Sequence, residues 1–317
     1  MKTIRIFIAL FLLGSGMANA QSDTLAKNDT IWRTGGLFSS AFNQVSLTNW
    51  AAGGQNAIAL NNLVSLFAKY KKGKIAWDNN LDMGYGILKQ GDEKVRKNDD
   101  RLEFNSKLGI DAYKAKVYYT LLFNFRSQFA PGYNYPRNDT TRYISKFAAP
   151  AFALLALGID YKPVDYFSVF LSPATARLII VNDDSLSKAG AYGVDPGDKV
   201  RSEIGAYLNT RFQKDILKDV NFMTKLDLFS NYKDSPQNID VNWEILLSVK
   251  VNRFIAMSLG TQLIYDDNTA ITIFKDQNGI KVPELNVDGT QRTGPRTQFR
   301  QVFGIGLTYK VEGFTVR

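Results

Sequence analysis

Apolar and polar residues alternate with a period of two along most of this chain. Val241, Trp243, Ile245, Leu247, Val249 and Val251 fall on one face of a segment whose other face carries Asn242, Glu244, Ser248 and Lys250, with Leu246 the one departure. Leu102, Phe104, Leu108, Ile110 and Ala112 alternate with Arg101, Glu103, Asn105, Lys107 and Asp111, and Val117, Tyr119, Leu121, Phe123 and Phe125 alternate with Lys116, Thr120, Asn124 and Arg126. The same pattern recurs around Ile204–Phe212, Val220–Leu228 and Phe299–Tyr309. A period of two is that of a strand with one face in an apolar medium and the other in a polar one.

Twelve such segments are predicted, at about 36–47, 56–71, 74–88, 101–113, 115–129, 149–162, 165–181, 199–213, 219–232, 239–251, 253–266 and 297–310. Most have thirteen or more residues. Strands of soluble domains run to about five or six residues, whereas a tilted membrane strand needs about 9–11 plus its ends. Connections alternate between short turns, at 72–73, 114, 163–164, 216–218 and 252, and long polar stretches, at 48–55, 89–100, 130–148, 182–198, 233–238 and 267–296. An even count with alternating loop lengths predicts an all-β, antiparallel up-and-down transmembrane β-barrel of about twelve strands, with both termini on the periplasmic, short-turn side. The competing architecture is a secreted β-sandwich. Segment 149–162, with Ala and Leu on both faces, fits that alternative best.

The polar faces define the lumen. They place Asp78, Asp82, Glu103, Lys107, Asp111, Arg126, Glu203, Arg211, Lys225, Asp227, Glu244, Lys250 and Arg300 inside, because Lys or Arg facing lipid at mid-bilayer costs about 2–4 kcal/mol each. The signs are mixed and no single-sign ring appears. Such a lumen is either a plugged structural core or a narrow aqueous pathway.

Composition narrows the chemistry. The 317 residues contain no His and no Cys. Nucleophilic units built on His, His- or Cys-ligated metals, haem and disulfides are therefore excluded, and no catalytic residue, metal site or cofactor is expected. Met1 to Ala20 reads as a secretory signal: Lys2 and Arg5 precede the apolar run Ile6 to Gly16 and the small-x-small site Ala18-Asn19-Ala20. Residues 21–35 follow as a periplasmic or lumen-inserted lead, and 36–317 as the barrel. Without Lys2 and Arg5 the 39 basic residues become 37 against 30 acidic ones, a net +7. This excess is spread over strand faces, which argues against a nucleic-acid partner.

The stretch Gln44-Val-Ser-Leu-Thr-Asn-Trp-Ala-Ala-Gly-Gly-Gln-Asn56, after Trp-Arg-Thr-Gly-Gly at 32–36, resembles an uncharacterised outer-membrane barrel family of the Bacteroidetes, a domain of unknown function. The resemblance implies location and fold and brings no catalytic residues. Within it, Asn49, Trp50, Gly53 and Gly54 form either a tight reversal with Trp50 at the membrane interface or a loop that folds inward or docks a partner.

Other features bear on partners. Asp276-Gln-Asn-Gly279 between two β-prone runs predicts a β-ribbon in the last long loop. Loop 89–100 mixes both charge signs, as suits lipopolysaccharide and divalent ions or simple solvation. Asp23-Thr-Leu, Asp29-Thr-Ile, Asp139-Thr-Thr and Asp184-Ser-Leu resemble the O-glycan acceptor triplets of exported Bacteroidetes proteins. The expected partners are outer-membrane lipid and lipopolysaccharide, the barrel-assembly machinery during insertion, and a protein partner in an envelope complex. The expected function is non-enzymatic: a structural or accessory subunit of an envelope assembly, with a passive, porin-like channel for small polar solutes as the alternative. Outer-membrane barrel lipases, deacylases and acyltransferases use a His that this chain lacks.

Overall fold

A computed structural model describes residues 31–47, 55–112, 116–134, 142–252, 254–269, 271–277, 280–311 and 315–316. The signal peptide at 1–20, the lead as far as residue 30, Asn49, Trp50, Gly53 and Gly54, and the triplets at 23, 29 and 139 lie outside these residues.

Twelve long strands form the body. They are β1 (Trp32–Val45), β2 (Ala57–Lys72), β3 (Ile75–Gln90), β4 (Arg96–Asp111), β5 (Val117–Ser127) and β6 (Ala151–Val164), followed by β7 (Phe167–Ile180), β8 (Val200–Leu217), β9 (Val220–Asn231), β10 (Ile239–Lys250), β11 (Ile255–Tyr265) and β12 (Gln298–Val311). Each pairs antiparallel with its sequence neighbour, and β12 returns to β1 in the register Gly36↔Val311 to Ala41↔Gly306. The sheet is a closed twelve-stranded antiparallel barrel. Closure removes both sheet edges, so the sandwich alternative falls.

Side chains on the outer faces are the large apolar residues of the alternation, among them Leu66, Leu108, Leu121, Leu155, Leu171, Ile204, Phe303 and Leu307, all exposed. Charged residues on these outer faces, such as Lys72 and Lys214, stand at the short-turn ends of their strands. At the short-turn end Trp32, Tyr70 and Trp77 stack along the outer wall, with ring centroids 5.1 and 5.9 Å from Trp32. Aromatics in such a row are typical of the membrane–water boundary.

Two boundaries differ from the sequence reading. β1 begins at Trp32, four residues before 36, so the last four residues of the expected lead are strand. β4 begins at Arg96, so much of the expected loop 89–100 is ladder, with Leu88↔Arg96 and Ile87↔Lys97 in register. Its polar residues continue the hairpin past the apolar band, which is why the run lacks a lipid-facing alternation.

Three of the other long loops contain short elements among their described residues. The last contains the ribbon, with Phe274–Gln277 pairing Ile280–Pro283. The loop after β5 folds as a short hairpin of Gly132–Asn134 with Arg142–Ser145. The loop after β7 carries helix α1 (Asp184–Lys188), whose first turn Asp183 caps by accepting from the Ser185 and Leu186 amides at 2.9 Å each. These two loops are tied together: Lys146 Nζ lies 2.6 Å from Asp183, the Tyr143 hydroxyl donates to Asp183 at 3.0 Å, and Ala149, Val181 and Val194 form a small buried cluster.

Candidate functional site

The site is the lumen, and strand alternation builds it. Residues Glu103, Lys107 and Asp111 of β4 lie on the side opposite Phe104 and Leu108, and their neighbours in register are Arg126, Leu122 and Tyr118 on β5. Asp78 and Asp82 pair in register with Lys107 and Glu103, so four charged residues of β3 and β4 form adjacent rows.

Bonds from these rows run across the barrel. Lys225 Nζ on β9 meets Glu103 Oε1 on β4 at 2.9 Å, and the two strands stand five places apart around a ring of twelve. Arg101 of β4 lies 3.5 Å from Glu244 of β10, six places away and therefore on the facing wall. The Glu103 side chain is 3% exposed and also accepts from the amides of Asn105 (3.0 Å) and Asn124 (3.2 Å). Lys225 has a second carboxylate in Asp227, at 3.4 Å, which in turn accepts from Tyr207 and from the Asn209 amide. Arg126 lies over the Phe152 ring, 5.7 Å from its centroid.

Above this level, toward the long loops, Glu203 is held between Arg177 and Arg201, and Arg177 continues to Asp240 at 2.6 Å. Arg300 of β12 reaches Asp99 at 2.8 Å across the long-loop mouth. A recess of about 400 Å³ opens there, lined in part by Lys97, Asp99, Gln128, Tyr133 and Arg300. Lys97 and Asp100, expected in a solvated loop, are joined at 2.8 Å, and Lys97 also donates to Gln128 and the Ala130 carbonyl.

Below it, toward the short turns, Lys107 lies 3.4 Å from Asp160 and 3.3 Å from Asn209, and Lys162 lies 2.9 Å from Asp78 and 3.5 Å from Asp160. Asp82 accepts from Ser65 at 2.5 Å, and Asp111 stands beside Tyr118. Arg211 donates only to Gln213 among the described side chains, and Lys250 is exposed near the end of β10 with no ion pair among the described residues.

Beside the charges the lumen has an apolar wall of Leu122, Leu154, Ala156, Phe170, Tyr207 and Phe229. This wall explains the two-sided apolar character of 149–162: β6 presents Leu155 and Leu157 outward and Leu154 and Ala156 inward onto that cluster. Among the described residues, no group of three or more carboxylates that could hold a metal ion occurs.

Residues 42–133 match a family described as "Protein of unknown function (DUF3078)". The matched stretch runs from the end of β1 through β5 and contains Asp78, Asp82, Glu103, Lys107, Asp111 and Arg126. No curated protein matches the chain in sequence. Solved structures similar to it include the translocator domain of the autotransporter NalP from Neisseria meningitidis, with 11% identity, TM-score 0.36, and 90% of this chain and 91% of that one covered. An outer membrane channel from Pseudomonas putida F1 has 12% identity and TM-score 0.37, covering 93% and 99%. A FadL homologue from Pseudomonas aeruginosa has 10% identity and TM-score 0.29, covering 87% and 75%. Identities this low and superpositions this loose carry no information on function.

Sequence reasoning missed several members of the lumen: Arg33, Lys69, Asp99, Arg101, Asp160, Lys162, Arg177, Arg201 and Asp240. Arg101 shares the polar face of Glu103 and was open to the same argument. Asp160 and Lys162 continue the inward face of β6, obscured by its apolar wall. Arg177 follows a one-residue bulge in β7, where Ser172 and Thr175, on either side of Pro173-Ala174, are both buried. A bulge inverts the in–out parity of everything after it.

Proposed function

We propose that this chain is a non-catalytic outer-membrane barrel that serves as a structural or accessory subunit of an envelope assembly. Export by the signal at 1–20 and insertion by the barrel-assembly machinery would leave the short turns and both chain ends in the periplasm. The resemblance of the first hairpin supports a Bacteroidetes envelope protein.

The observation that carries the reading is the pair of bonds across the middle of the lumen, Lys225–Glu103 and Arg101–Glu244. Together with the apolar wall, these bonds between facing walls support a lumen held closed at this level. The ion pairing of the central charges, in a chain that has no His, supports the non-catalytic part of this reading. The test is conductance: purified protein in planar bilayers should be silent. The Arg101→Ala/Glu244→Ala variant, with folding verified by heat-modifiable gel mobility, should leak. Steady, frequent conductance by the native protein would overturn the structural reading.

The second reading is a narrow channel for small polar solutes, favoured by the recess at one mouth and the exposed cations at the other. On that reading the native protein conducts, and Lys225→Glu with Arg211→Glu shifts ion preference toward cations.

A further inference from the structure

The charges at the short-turn mouth do not balance. Trp32, Tyr70 and Trp77 pack on the outer wall, so alternation turns Arg33, Lys69 and Asp78 into the lumen. Arg33 stands directly opposite Lys69 in the β1–β2 ladder, and Lys69 opposite Asp78 in the β2–β3 ladder. Like charges directly opposite one another destabilise a sheet. Asp78, the one carboxylate in this row, is already taken by Lys162 at 2.9 Å.

The far wall adds to the excess. Arg211 comes from β8, six places from β2 around the ring, and at Lys69 the attraction of Asp78 is opposed by repulsion from Arg211, Lys162 and Arg33. Arg33, Lys69 and Arg211 are exposed to the mouth, and among the described residues none of the three has an ion pair. The middle of the lumen is different: there Arg101 and Lys225 each meet a carboxylate within 3.7 Å.

We propose that this mouth binds a multivalent oxyanion of the phosphate class, held between Arg33 and Lys69 on one wall and Arg211 on the other. Two guanidinium forks suit the oxygens of a phosphate, and a ligand with two or more negative charges neutralises repulsion that the chain itself leaves standing. The phosphate can come from a soluble ion or from a lipid headgroup. The site is independent of whether the lumen conducts, since it lies at the mouth and not across the middle section.

The experiment is calorimetric titration of the full-length folded protein in detergent with inorganic pyrophosphate, at constant ionic strength set by chloride. Saturable binding is expected, weakened at least tenfold by Lys69→Gln/Arg211→Gln and unchanged by Lys199→Gln at the opposite end, where Lys199 pairs with Asp184. If the double variant does not fold, Arg33→Gln at the rim supplies the comparison, with a weakening of at least threefold. Repeating the titration in nanodiscs assigns the source: lower affinity for pyrophosphate in anionic than in zwitterionic lipid marks a headgroup as the occupant, and equal affinity marks a soluble ion. Absence of saturable binding to native protein, or equal binding by the folded variants, would overturn the site.

Discussion

Removing the charge at Glu103 should destabilise the barrel from inside, and its effect should depend on Lys225. The two groups are 2.9 Å apart, with side chains 3% and 17% exposed. At an effective dielectric of about 20 their attraction is about 6 kcal/mol, most of which is offset by the loss of hydration on burial. Glu103→Ala leaves Lys225 and Arg101 facing each other's field, but Asp227 at 3.4 Å and Glu244 at 3.5 Å remain as partial substitutes. The single substitution should therefore cost about 3 kcal/mol, the lower end for breaking a buried pair. Lys225→Ala should cost about as much, since it leaves Glu103 with Arg101 at 3.7 Å and two amide donors. The double variant removes both charges, so it should recover about 2 kcal/mol relative to the sum. The assay is reversible urea unfolding of detergent-refolded protein, followed by tryptophan fluorescence, across the four-member cycle. A coupling below about 0.5 kcal/mol, within ordinary additivity, would refute a direct bond across the lumen.

Two further outcomes follow from the loops. Single Cys residues at Asp92 and Val287 should label with an impermeant thiol reagent on intact cells, while those at Gly73 and Asn252 should not; labelling of both sets would reject periplasmic short turns. The Asp183 carboxyl is lowered to about 2 by its bonds to Lys146 and the Leu186 amide, against about 3.9 in an unfolded chain. Its stabilisation of the two outer loops is thus complete above about pH 4 and lost as pH falls toward 2. Hydrogen exchange in 142–149 and 183–189 should accelerate over that window in native protein, and Asp183→Ala should show the fast exchange already at pH 7.

Most of the fold was legible because a barrel in lipid obeys one rule at every position along each strand. An outward Leu121 or Phe303 and an inward Glu103 or Lys225 are separated by the cost of placing charge in hydrocarbon, which is larger than any strand propensity. The rule weakens where one side of a strand no longer meets lipid or the other no longer meets polar groups. β4 from Arg96 to Asp100 and β1 from Trp32 to Gly35 lie at the ends of the apolar band, and there the pattern loses contrast and the boundaries move. β6 keeps its outward Leu155 and Leu157 but lays Leu154 and Ala156 on the inner apolar wall. Both faces then read alike, although the strand is as well paired as its neighbours.

The lumen was legible only as a face, not as a set of bonds. Which inward residues meet is decided by barrel diameter and by the stagger of tilted strands, quantities that belong to the closed ring and to no single segment. Lys225 and Glu103 are separated by 122 residues, Arg101 and Glu244 by 143 (244 − 101), and neither pair is adjacent in any hairpin. The mixed signs that gave no selectivity ring in the sequence resolve, once the ring closes, into wall-to-wall pairs at the middle and, at the short-turn mouth, three cations without an ion pair among the described residues beside the paired Lys107 and Lys162. That division has a physical consequence. Wall-to-wall ion pairs offset the charges of the middle, whereas the repulsion of Arg33 and Lys69, opposite one another in the ladder, is left for the proposed anion to offset. Paired cations at the centre and the proposed anion site at one mouth draw on the same inward-facing rows, separated by whether strand stagger brings a carboxylate within reach of each cation.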